Sequence, residues 1–308
     1  VPHLKRTIPT TYAATTGGRT RSWMWLAIGV VLVIVTGVAA LTFAAPRSRS
    51  ATDSQAGAQI GGDLHTVFFN AGTLYVGGHD AVVTSTDSGQ HLRPITSLTG
   101  ADAMGWAASG SSLLVGGHPG LFRSVDQGTT FTKVTAPVSD VHALGGAGTM
   151  LYLGSPQAGL LASEDGGRTW DLRTARQGQD FMGTILVDPK NPSRALAPDM
   201  ATGLMRTVDG GRTWYPAGGP VGALAAAWNP ADTRQLVVVG MTGAAASRNG
   251  GATWQPLSVP AGTSAVTFGP GGTVLAGVLR DQRAVIYASK DQGKSWSGTA
   301  KSASHTGG

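Results

Sequence analysis

The 308-residue chain contains no cysteine, which excludes disulfides, thiolate metal ligands and thiol nucleophiles. Glutamate is almost as scarce: Glu164 is the only one, and the other 16 of the 17 acidic residues are aspartates. Chemistry that needs two glutamates is therefore excluded. A basic excess is also missing where it would matter. Residues 1 to 54 hold six Lys/Arg and one acid, whereas the remaining 254 residues carry 17 bases and 16 acids. A nucleic-acid-binding domain needs its positive charge in the folded part, where it releases counterions from phosphates, so no nucleic-acid partner is expected. No G-x-S-x-G elbow, P-loop or H-E-x-x-H helix motif occurs.

What the chain does have is glycine, 46 residues of it, well above the usual ~7% and without a collagen period. These glycines punctuate short β-branched and aromatic runs, the pattern of an all-β chain with many tight turns. A hydrophobic fraction of 41% is enough for a substantial core.

One apolar run stands apart. Residues 23 to 45, WMWLAIGVVLVIVTGVAALTFAA, are uncharged over a length that matches the ~20 residues of a membrane-spanning helix, with Trp23 and Trp25 at one end. A cleaved signal peptide is the alternative, with Val38-Ala39-Ala40 as its small-residue site; the run exceeds the usual ~7 to 15 residues of such a segment, which favours an uncleaved signal anchor. Four Lys/Arg precede the span and two follow it, so the positive-inside rule puts the tail, residues 1–22, in the cytoplasm and the remainder outside. Residues 46–62 read as a flexible stalk and 301–308 as a disordered tail.

Between them one octapeptide recurs six times: STDSGQHL (85–92), SVDQGTTF (124–131), SEDGGRTW (163–170), TVDGGRTW (207–214), SRNGGATW (247–254) and SKDQGKSW (289–296). Its third position is Asp87, Asp126, Asp165, Asp209, Asn249 and Asp291, at spacings of 39, 39, 44, 40 and 42. In each turn the Asp, or the Asn side-chain carbonyl, accepts backbone N–H bonds and the fifth-position glycine supplies a positive φ. The aromatic at position eight is expected to fill space between repeats. Each unit also carries four short strand-like runs, so the period is that of a four-stranded propeller blade. The fold class is all-β: a six-bladed β-propeller over residues 63–300, preceded by one transmembrane helix.

The repeated S-x-D-x-G-x-T-W turn resembles the Asp-box, or BNR repeat, of sialidase-like and sortilin-like propellers. For the catalytic members that resemblance implies an arginine triad, a tyrosine nucleophile activated by a glutamate, and an aspartate acid/base. Glu164 instead falls inside a box turn, and the Phe-Arg-Ile-Pro element expected before the first blade is absent, since His91-Leu92-Arg93-Pro94-Ile95 lies elsewhere.

Placed in register, the starts of the innermost strands read Asp63-Leu64-His65, Asp102-Ala103-Met104, Asp140-Val141-His142 and Asp180-Phe181-Met182. The second loops read Gly78-His79-Asp80 and Gly117-His118-Pro119. Both locations open on the end of a blade opposite the boxes. Four histidines (His65, His79, His118, His142) and five aspartates (Asp63, Asp80, Asp102, Asp140, Asp180) are thus expected on one face as a ligand-binding set. No cofactor is required by the sequence, although the four histidines suit a divalent metal. A structural reading also stands, in which the aspartates cap loops and His alternates with Met as filler. Arg280-Asp281-Gln282-Arg283 lies in a second loop on the same face, while Tyr75, Tyr152 and Tyr287 are expected in blade packing. Met200, Met205 and Met241 are expected to be core or loop filler. The preferred function is a non-catalytic, membrane-anchored binding or scaffold module for a protein or glycan. The alternative, which the resemblance implies, is a sialidase-like (BNR repeat) glycoside hydrolase working through aspartates such as Asp63, Asp80 or Asp140.

Overall fold

The computed structural model describes residues 58–300. Blade 1 is an antiparallel meander of Leu64–Asn70, Thr73–Gly78, Val82–Ser85 and Arg93–Pro94, whose spatial order is the chain order. The same meander recurs five times, from inner strands Gly105–Ser109, Ala143–Ala147, Leu186–Val187, Ala223–Asn229 and Thr263–Phe268. Inner strands of successive blades pack against one another, and those of blades 6 and 1 meet, closing a six-bladed ring.

The core sits in the seams between blades. Second strands such as Thr73–Gly78, Ser112–Gly117 and Met150–Ser155 are buried on both faces, because each blade is covered by a neighbour on either side. One seam joins Tyr75 and Val82 of blade 1 to Trp106 and Leu113 of blade 2, and another joins Tyr152 of blade 3 to Met205 and Trp214 of blade 4. Tyr75 and Tyr152 donate their hydroxyls across seams, to the carbonyls of Gln127 (3.0 Å) and Pro192 (2.8 Å). Burial drives the Tyr152 hydroxyl up to about 12, so it stays protonated. Inner strands approach so closely that side chains are excluded at some contacts: a Cβ on Gly145 would lie 2.0 Å from the carbonyl oxygen of Ile185.

The six repeated turns share one hydrogen-bond pattern. In the third, the Ser163 hydroxyl donates to Oδ1 of Asp165 (2.8 Å) and accepts from the Gly167 N–H (2.8 Å). Asp165 accepts from the Thr169 N–H and hydroxyl, at 2.9 and 2.6 Å, and Gly167 has φ +88°. The first-position hydroxyl residue, whose role the sequence pattern alone does not display, is buried in all six turns: Ser85, Ser124, Ser163, Thr207, Ser247 and Ser289. Asn249 keeps the Oδ1 bonds to Ser247 and Thr253 but reverses another, its Nδ2 donating to the Thr253 hydroxyl. In the first turn His91 replaces the threonine, its Nδ1 lying 2.6 Å from Oδ2 of Asp87. The indoles of Trp254 and Trp296 donate to Ala217 and Ser258 of the preceding blade, which places these position-eight aromatics in the seams.

Two boundaries differ from the sequence expectation. The stalk expected over 46–62 ends earlier, because Ala58–Ile60 pair with the third strand of blade 6: the Ile60 N–H donates to Gln282, the Ala284 N–H donates to Ala58, and Ile60 is fully buried. The loop containing Arg280 and Asp281 is thus part of the ring closure, with the Arg280 guanidinium bonded to the Ala261 carbonyl at 2.6 Å. The inner strand of blade 4 is also split, since Gly183–Thr184 pairs in parallel with the inner strand of blade 3, leaving only Leu186–Val187 in blade 4. The tail 1–22, the span 23–45, residues 46–57 and the tail 301–308 lie outside the described residues. Among the described residues no helix is long and apolar enough to cross a membrane.

Candidate functional site

Within each blade the start of the inner strand and the loop between the second and third strands open on one face, while the repeated turns lie on the other. The first face carries the histidines. In blade 1 the inner strand breaks register between Leu64 and Thr66, so His65 is the extra residue of a β-bulge and is released from the pleat. Its Nε2 lies 3.0 Å from Oδ1 of Asp102, at the start of blade 2, and His79 Nδ1 lies 3.7 Å from Oδ2 of the same carboxylate.

The next seam repeats the theme with a different donor set. Asp140, at the start of blade 3, has His118 Nε2 of blade 2 and His142 Nε2 of its own blade at 3.1 and 3.0 Å from Oδ1. Gln157 donates to Oδ2 at 3.5 Å. Asp102 and Asp140 are both more than nine-tenths buried, whereas the side chains of His79 and His118 are 57% and 55% exposed. Each seam thus holds a sunken carboxylate beneath one half-buried and one exposed imidazole. Burial lowers the affinity of His142 for a proton; Asp140 opposes that effect, His118 adds to it, and Asp102 and His65 of the neighbouring cluster also act on it.

Other expected residues fall outside these clusters. Asp63 is exposed but converges on His65 and His79, with one ligand atom from each of the three lying within 4.8 Å of the others. Of the four histidines expected as a metal set, His65 and His79 fall in this group with Asp63. Asp80 is exposed, its carboxylate lying over Gly61, where a Cβ would come within 2.4 Å of Oδ2. Asp180 faces Asp199, and burial followed by that neighbouring charge raises its pKa. Asp199 itself, absent from the sequence-derived set, is buried and spends Oδ1 on the Ala201 and Thr202 N–H groups and the Thr202 hydroxyl.

The same face also exposes three large apolar side chains over blades 4 and 5. Met200 and Met241, in second loops, are 38% and 67% exposed, and Val221, before the blade 5 inner strand, is 55% exposed. Of the three methionines expected as filler only Met205 is buried.

Two other concavities are built differently. A groove of ≈ 540 Å³ between blades 5 and 6, on the side of the repeated turns, is lined by Leu257, Phe268, Arg248 and Lys294 among others and contains no carboxylate or imidazole. On the axis there is a small cavity of ≈ 140 Å³ lined mainly by Val67, Phe68, Leu186, Ala226 and Val266. Glu164 lies on the repeated-turn side, paired with Arg173 at 2.6 Å.

The chain is an all-β, six-bladed propeller with four-stranded blades. No family model matches it, and no curated protein matches it. Among solved structures it is similar to a GH74 xyloglucanase from Xanthomonas campestris, at 20% identity and TM-score 0.55 over 78% of this chain. It spans 45% of that enzyme's length. It is also similar to a chain of a nidogen–laminin complex, at 11% identity and TM-score 0.53, covering 72% of this chain and 87% of that one. The extracellular domain of a hybrid two-component system from B. thetaiotaomicron matches at 11% identity and TM-score 0.50, over 73% of this chain and 32% of that one. At these identities the likeness is one of fold.

Proposed function

We propose that this chain is a non-catalytic binding or scaffold module, an Asp-box propeller held at the membrane by residues 23–45, that recognises a protein through its His/Asp face. The observation that carries this reading is the composition of that face: two sunken carboxylates with their imidazoles over blades 1 to 3, beside exposed Met200, Val221 and Met241 over blades 4 and 5. Exposed apolar side chains beside polar groups suit a protein-interaction site. A neighbour of similar fold occurs in a nidogen–laminin complex, consistent with this use of a propeller.

Native electrophoresis of solubilised membranes tests the proposal. The chain should migrate in a complex larger than itself, and the Met200→Asp/Met241→Asp pair should release it, while Val125→Asp/Val208→Asp on the other face should not. Migration of the parent chain at monomer size would sink the reading.

A second reading, a glycoside hydrolase, is favoured by one observation. Asp180 has a raised pKa and faces Asp199, the kind of carboxylate pair in which one member serves as general acid. Turnover of aryl glycosides by the purified chain, abolished in Asp180→Asn, would establish it over the first.

A further inference from the structure

We infer that blade 1 holds a divalent transition-metal ion between Asp63, His65 and His79, with Asp102 of blade 2 packed against the two histidines. The first three present one ligand atom each within 4.8 Å of one another, as donors around a common ion must. A second observation points to the same place. Nε2 of His65 and Oδ1 of Asp102 are both buried, lie 3.0 Å apart and yet lack the alignment of a hydrogen bond, and neither has another partner. A buried imidazole nitrogen that makes no hydrogen bond calls for a further explanation.

Donor chemistry and access agree. One carboxylate and two neutral imidazoles make an N2O set suited to zinc and its neighbours rather than to magnesium or calcium, and the exposure of Asp63 and His79 leaves the ion a way in. The bulge at His65 gives the site a structural reason, since it frees that side chain from the strand alternation and swings it toward blade 2. This inference does not depend on the protein-binding proposal.

The test is a calorimetric titration of the chelator-stripped full chain with Zn²⁺, and with Ca²⁺ for comparison. One equivalent of Zn²⁺ should bind and raise the melting temperature, with Ca²⁺ doing neither. His79→Gln and Asp63→Asn alter exposed side chains, so both should melt like the parent in chelator while binding Zn²⁺ at least tenfold more weakly. His118→Gln, in the adjacent cluster, should bind as the parent does. Absence of saturable uptake, unchanged affinity in both blade 1 variants, or loss of uptake in His118→Gln would overturn the assignment.

Discussion

Ser163 and Glu164 are adjacent, yet they matter to this fold in opposite degrees. The Ser163 hydroxyl is a buried pivot, donating to Asp165 and accepting from the Gly167 N–H, so Ser163→Ala leaves a buried donor unsatisfied at about 1 to 3 kcal/mol. Glu164 pairs with Arg173 from the solvent side, 68% exposed against 9% for Arg173, so water can take the place of its carboxylate and its loss should cost about 1 kcal/mol or less. Denaturant titration should therefore show Ser163→Ala to be clearly less stable than Glu164→Ala, and the reverse order would contradict the pivot role. The aspartates of these turns were legible in the sequence because an Asx turn and its glycine lie within five residues. The pivot was not, because serine is common everywhere and only burial distinguishes this one. The same holds at the opposite face, where His65 and Asp102 are far apart in sequence and meet only through a bulge and a neighbouring blade.

Blades are held by surfaces that a four-strand count does not reveal. Six blades of four strands follow from six turns at a period near 40, whereas the split inner strand of blade 4 depends on how tightly neighbouring strands approach. Gly145→Ala tests that approach: its Cβ would meet the Ile185 carbonyl oxygen at 2.0 Å, backbone against backbone, with no side chain able to yield. The variant should fail to accumulate as folded protein, as judged by circular dichroism and protease resistance. Ring closure by Ala58–Ile60 was likewise hidden, because AQI sits in a stretch that reads as stalk. With Ile60 fully buried, Ile60→Ala should cost about 2 to 5 kcal/mol in chemical denaturation, and a near-neutral result would return these residues to the stalk.

Across the whole molecule the two faces respond differently to acid. His142, packed against Asp140 and His118 and influenced by Asp102 and His65, has a folded pKa below its ordinary value of 6.5. The unfolded chain then binds the extra proton first, so this contribution to stability is present above pH ~6.5 and is lost as pH falls below it. On the other face, the hydroxyl and N–H of Thr130 hold Asp126 at about 2, below the ordinary 3.8. Its contribution is present above pH ~3.8 and fades only as pH falls toward ~2. Melting temperatures should accordingly begin to drop between pH 7 and 5, less steeply in His142→Gln, and drop again below pH 4. The exposed methionines that mark the first face were invisible to pattern reading, because Met205 occurs in the same blade and is buried. That face is the central claim, and site-specific photo-crosslinking in native membranes tests it most directly. A photoreactive side chain at Met200 or Met241 should yield a discrete protein adduct and one at Val125 or Val208 should not; adducts only from the latter pair would contradict the account.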